Sequence, residues 1–123
     1  MADDSGAVGL LLSRDLFFGS RIAGTAEQIG LRVETAGSIP QALEMIDRRR
    51  YRAVLVDLSV PGLSVPELMA GLPQVDRPRV LAFGSHVHTA LLEQARTAGC
   101  DEVLSRGQLS AKLVEVLRTN LVE

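Results

Sequence analysis

Along the 123-residue chain, short runs of uninterrupted apolar side chains alternate with longer stretches in which apolar residues return every three or four positions. The first kind suits strands covered on both faces and the second suits helices with one buried face. Their regular alternation is the signature of βα units on a parallel sheet. Val8 to Leu12 is predicted as the first and central strand. Over residues 15–29 the period becomes helical. Leu16, Ile22, Ala23, Ala26 and Ile29 fall on one face, Asp15 stands in the N-cap position and Gly30 closes the helix. Residues 31–35 are predicted as the second strand. A capping box, Ser38 with Gln41, opens the second helix, which ends in Arg48, Arg49 and Arg50, where positive charge offsets the helix dipole. Residues 52–56 form the third predicted strand, which ends on Asp57 ahead of the turn residues Pro61 and Gly62. A second box, Ser64 with Glu67, opens a short third helix. The fourth strand is expected over 79–83, followed by the loop Gly84-Ser85-His86 and a helix over 88–98 closed by Gly99. The fifth strand is expected over 102–105 and the last helix over 110–117. The whole reads as a doubly wound α/β fold on a five-stranded parallel sheet.

With 46% hydrophobic residues, no Trp, one Tyr and three Phe, the core has to be aliphatic, and the length suits one domain spanning residues 1–123. A formal charge of −2 gives no basis for binding a nucleic-acid backbone, so no nucleic-acid partner is expected. The acidic start, Met1-Ala2-Asp3-Asp4, is unlike a secretory signal. The apolar run over 7–12 is too short to span a bilayer, so no membrane contact and a cytoplasmic location are expected. The lone Cys100 cannot form an intramolecular disulfide. It reads as a small buried residue, the alternative being a reactive or metal-binding thiol.

In open parallel sheets, ligands collect at the carboxyl ends of the strands. The residues expected to converge there are Ser13, Arg14 and Asp15, then Asp57, then Gly84, Ser85 and His86, and finally Ser105 and Arg106. The segment Gly-Ser-His-Val-His offers Ser85, His86 and His88 as an alternative small-ligand or metal site that Asp57 could join, since two imidazoles one residue apart can both ligate on an extended backbone. A hydrolytic arrangement of Ser85, His86 and Asp57 is disfavoured because adjacent residues rarely aim a nucleophile at its base. The chain contains neither a G-x-S-x-G elbow nor a G-x-x-x-x-G-K phosphate loop, so no enzymatic activity is expected.

Residues 51–69, YRAVLVDLSVPGLSVPELM, and residues 96–107, RTAGCDEVLSRG, together resemble the response-regulator receiver domain, the first around its phosphoacceptor and the second around its fifth strand. The resemblance implies a flavodoxin-like three-layer sandwich with strand order 2-1-3-4-5 and makes Asp57 the phosphoacceptor equivalent. Several matching positions depart from the family. Ser13 and Arg14 stand where it carries an acidic pair for Mg²⁺, Gly84 where it has Ser or Thr (with Ser85 adjacent), Arg106 where it has Lys, and Val103 where it has a switching aromatic. Asp15 and Asp57 alone would make a poor Mg²⁺ site.

The expectation is therefore a pseudo-receiver with no cofactor, in which Arg14 and also Arg106 pair with Asp57 where metal and phosphoryl group would sit. A plainer reading of Asp57 is a strand-end carboxylate that caps the following turn. A second reading of the chain is a working single-domain regulator phosphorylated on Asp57 by a histidine kinase or a small phosphodonor, with Mg²⁺ on Asp15 and Arg106 on the phosphoryl oxygens. The partner implied is a protein: a histidine kinase, or a second copy docked through the fourth and fifth helices, whose apolar residues are Leu91, Leu92, Leu113, Val114 and Val116.

Overall fold

A computed structural model describes residues 8–122. In chain order the elements are β1 (Val8–Leu12), α1 (Leu16–Gln28), β2 (Arg32–Ala36), α2 (Ile39–Arg48), β3 (Ala53–Asp57), α3 (Val65–Gly71), β4 (Arg79–Gly84), α4 (Thr89–Thr97), β5 (Glu102–Ser105), α5 (Arg106–Ala111) and α6 (Leu113–Leu121). The strands form one sheet in the order β2-β1-β3-β4-β5, and every pairing is parallel. This is the expected doubly wound architecture. Each predicted strand is found within one residue of its expected ends.

Successive side chains of a strand point to opposite faces, so the apolar runs feed two cores. Leu10, Leu12, Val54, Val56, Val80 and Ala82 pack against α2, α3 and α4. Leu11, Leu55, Leu81 and Phe83 pack against α1, α5 and α6. The result is three layers, and all five residues of β1 and of β3 are buried. No helix among the described residues is long and apolar enough to cross a membrane.

The helix starts follow the expected caps. Asp15, Ser38 and Ser64 accept the backbone N–H of Phe18, Gln41 and Glu67, while the Gln41 side chain reaches past the cap to accept the Gly37 N–H, so the cap on Ser38 forms without the reciprocal bond of the expected box. After α1 the chain turns at Gly30, whose φ of 80° is the left-handed conformation that a side chain disfavours.

Two expectations are corrected. Leu16 is 83% exposed, and the buried stripe of α1 runs instead through Phe18, Ile22 and Ala26. Phe18 stands four residues before Ile22 and shares its face, whereas Leu16 stands six before and does not, so it is Phe18 that meets Phe83, in an edge-to-face contact with ring centres 5.5 Å apart. The single last helix over 110–117 is in fact two helices that meet at Lys112. The first begins directly at the end of β5, where Ser105 and Gln108 form a reciprocal capping box.

Candidate functional site

Side-chain alternation decides what surrounds Asp57. Leu11 pairs with Leu55 across β1 and β3, so two residues further on Ser13 and Asp57 stand side by side on the face that carries α1 and α5. Asp57 is 1% exposed and Ser13 4%. The Ser13 hydroxyl accepts the Asp15 backbone N–H at 3.1 Å and donates its own proton to Asp57 Oδ2 at 2.7 Å. Ser59 holds the other oxygen, with its backbone N–H donating to Oδ1 at 2.9 Å and its hydroxyl at 2.6 Å. The carboxylate is thus held by hydrogen bonds that satisfy both oxygens, as a buried acid requires. Ser59 was not singled out from the sequence. The Asp-x-Ser spacing ahead of a Pro-Gly turn, in which a carboxylate bonds the backbone two residues on, is the signal that points to it.

Neither arginine reaches Asp57, which corrects the expected ion pairs. Arg14 follows Ser13 and so points to the opposite side of the sheet. Its side chain is exposed, passes Gly37, and lines a groove of about 260 Å³ with Ser38, Val60 and Pro61. Arg106 instead forms an ion pair with Asp15 and lies over the Phe18 ring, its guanidinium carbon 4.4 Å from the ring centre. Asp15 is therefore engaged twice, as the α1 cap at 3.0 Å from the Phe18 N–H and as the partner of Arg106. The Phe18 N–H bond is the strongest influence on its acidity. Partial burial works against that bond and the Arg106 charge works with it, and the net effect holds the Asp15 carboxyl below the ordinary aspartate value.

Mg²⁺ requires near-octahedral oxygen ligation led by carboxylates. Here both Asp57 oxygens already accept hydroxyl or amide protons, and Asp15 carries a guanidinium. The residues at these strand ends do not fit the ion.

The remaining strand-end residues are placed separately. Gly84 ends β4, and a Cβ added there would lie 3.3 Å from Leu58 Cβ, so the buried Leu58 fills the room that a Ser or Thr would need. Ser85 is half-buried, and its hydroxyl accepts only the Val87 N–H, at 3.4 Å. His86 and His88 are both exposed, and His88 starts α4 without a side-chain cap. Among the described residues, no group of three or more His, Cys, Asp or Glu side chains could hold a metal ion, so the arrangement weighed for Ser85, His86 and His88 is not assembled. Val103 is half-buried against the core on the α2 to α4 side. Cys100 is likewise half-buried, and burial, reinforced by the Asp101 charge, pushes its thiol up to about 11, which keeps it protonated and unreactive at neutral pH.

The same arrangement of strands and helices recurs in solved proteins. The response-regulator receiver domain from Bermanella marisrubri superposes with a TM-score of 0.82, covering 97% of this chain and 100% of that one at 23% identity. The receiver domain of the sensor histidine kinase PA1611 from Pseudomonas aeruginosa PAO1, solved with a magnesium ion in its active-site cleft, superposes with a TM-score of 0.79, covering 97% and 100% at 20% identity. This chain has the receiver-domain fold. No family model matches the receiver-like chain. Among curated proteins it is 36% identical over 93 residues to the transcriptional activator protein ExaE of Pseudomonas putida, an overlap of 72% of this chain and 42% of that protein. It is 29% identical over 106 residues to the sensor histidine kinase AruS of Pseudomonas aeruginosa, an overlap of 81% of this chain and 11% of that protein. The chain thus spans under half of the first relative and about a tenth of the second.

Proposed function

We propose that this chain is a pseudo-receiver: one receiver-like unit over residues 1–123 that serves cytoplasmic signal transduction through protein contacts, with no catalytic activity of its own and no Mg²⁺-dependent phosphorylation. The observation that carries the proposal is the state of Asp57. The position that would accept a phosphoryl group is clamped by the hydroxyls of Ser13 and Ser59, and the one neighbouring strand-end carboxylate, Asp15, is bound to Arg106. A hydroxyl clamp satisfies the buried acid without a cation. It also fixes the strand ends in one arrangement, because each donor has a single acceptor to serve. The relatives support the signalling context, since one is a transcriptional activator and the other a sensor histidine kinase. A histidine kinase is the sort of partner proposed, as is a second copy of this chain. Leu91 on α4 and Val114 on α6, at 38% and 39% exposure, are the apolar residues that self-association through those helices would use.

Incubation with acetyl phosphate and Mg²⁺, followed by intact-mass measurement, tests the proposal. The expected result is no added phosphoryl mass. A gain in the native chain that is absent from Asp57→Asn would establish the working regulator instead.

A further inference from the structure

One surface outside the Asp57 site gathers several cations in a single groove. Between α1 and the α5–α6 hairpin runs an open groove of about 670 Å³, whose cations are Arg21, Lys112 and Arg118 and whose one acid is Glu115. Elsewhere the cations Arg32, Arg48, Arg49, Arg50, Arg77, Arg96 and Arg106 each have an acidic partner within ion-pair distance. Arg52 and Arg79 bond instead to the Val122 carbonyl and the Asn120 side chain, and Arg14 lies by itself in the groove beside Gly37, so among the described residues only here do several unpaired cations share one groove. Among the described residues Arg21, Lys112 and Arg118 have no acidic partner, although the chain as a whole is negative. Arg21 bonds only to the Ser110 hydroxyl and carbonyl.

The α1 wall of the groove continues upward. Phe17, Arg21, Thr25 and Gln28 follow one another at helical spacing along one face. Phe17 is 92% exposed, while the other aromatic residues, Phe18, Tyr51 and Phe83, are all buried. An unburied Phe at the head of an unpaired basic groove is an unsatisfied surface of both kinds.

We infer that the α1–α6 groove binds an acidic segment of a protein partner, which lays an apolar side chain on Phe17 and carboxylates along Arg21, Lys112 and Arg118. The spread of the cations favours a chain of carboxylates over one small anion. Lys112 and Arg118 are six residues apart, about 9 Å along a helix, and Phe17 to Gln28 spans about 16 Å. The net negative charge argues against a nucleic-acid strand. The inference deepens the reading of the chain as a protein-contact module, but it concerns another face and needs neither phosphate nor metal. Phosphoryl transfer to Asp57 would overturn that reading and leave the groove untouched, and failure of the peptide to bind would do the reverse.

The test uses the full chain and a fluorescein-labelled peptide of about twelve residues, built from Glu and Leu at amphipathic helical spacing. Anisotropy gives the affinity, and amide NMR shifts locate the contact. The expected result is salt-sensitive binding with shifts centred on Phe17, Arg21 and residues 112–119. Lys112→Glu with Arg118→Glu should weaken it by about tenfold. Phe17→Ala should weaken it roughly fivefold with unchanged salt dependence. Arg48→Glu with Arg50→Glu, an equal change of net charge elsewhere, should leave the groove contact in place. Thermal melts confirm that each variant folds. Absence of binding at millimolar peptide would overturn the inference. So would shifts located elsewhere, equal weakening by the Arg48 and Arg50 pair, equal affinity for the Lys counterpart of the peptide, or tighter binding of a single-stranded oligonucleotide.

Discussion

Replacing Ser13 by Ala removes the hydroxyl that bonds Asp57 at 2.7 Å in a site where the carboxylate is 1% exposed. A hydrogen bond to a charged group contributes about 1.5–3 kcal/mol, and the loss here falls in that range because no water can replace the donor without opening the strand ends. The freed Asp15 N–H is only part-buried and adds little. A cost of about 2–3 kcal/mol corresponds to a fall in Tm of roughly 6–12 °C for a domain of this size. Urea unfolding followed by circular dichroism measures it, and an unchanged m-value shows that the native surface is intact. The same substitution made together with Asp57→Asn should cost only about 1 kcal/mol, the value of a neutral bond, leaving a coupling of roughly 1–2 kcal/mol. Arg14→Ala serves as the contrast. Arg14 is exposed and away from Asp57, so its loss should stay within about 0.5 kcal/mol, whereas breaking a buried Arg14–Asp57 pair would cost about 3–5 kcal/mol. A Ser13→Ala cost below about 0.5 kcal/mol, or a cost equal with and without Asp57→Asn, would refute the hydroxyl clamp.

Two further outcomes follow from the titratable groups. Asp15 is held below the ordinary value of 3.8, first by its cap bond to Phe18 and then, against burial, by Arg106. Its contribution is therefore complete above the unfolded value and lost as pH falls through the lower folded one. The stability gap between the native chain and Asp15→Asn should be constant at neutral pH and close below pH 3.8, and a gap that persists at lower pH would contradict this. Tyr51 is the chain's single tyrosine, and its hydroxyl donates to Glu34 at 2.6 Å. Burial first, then the Glu34 bond, raise its ionisation from 10.0 to about 12. The contribution of the hydroxyl is present below pH 10.0 and fades as pH rises toward the folded value, so ultraviolet absorbance should show no tyrosinate in the folded chain at pH 10.0; half-ionisation there would contradict the Tyr51–Glu34 bond.

The fold was legible because its signals are redundant. Runs such as Val8–Leu12 and Ala53–Asp57 are apolar on both faces, and Asp15, Ser38 and Ser64 mark helix starts by capping chemistry that acts over three residues. Ambiguity arose where two registers were equally apolar. In the first turn of α1, Leu16, Phe17 and Phe18 are consecutive and all apolar, and the four-residue spacing to Ile22 and Ala26 is what places Phe18 on the inward face. The break at Lys112 was hidden for a similar reason, although Ser105 and Gln108 carry the box that starts α5.

For the site, sequence identified Asp57 and the loop residues around it but not their pairing. Formal charge suggested Arg14 for Asp57, whereas alternation along β1 places Ser13 on that face and Arg14 on the other. Arg106 had two carboxylates to choose from, and its stacking on Phe18, a tertiary contact with no local signal, settles it on Asp15.

The most direct measurement of the central claim is a titration with Mg²⁺ and then beryllofluoride, which mimics a phosphoryl group on a carboxylate, followed residue by residue through backbone amide NMR. The account predicts that the amides of Ser13, Asp57, Ser59, Gly84 and Arg106 stay in place at millimolar Mg²⁺ with and without the fluoride. Saturable shifts at Asp57 and Ser59 that vanish in Asp57→Asn would mean that the hydroxyl clamp opens to admit a metal and a phosphoryl group, and the pseudo-receiver reading would be wrong.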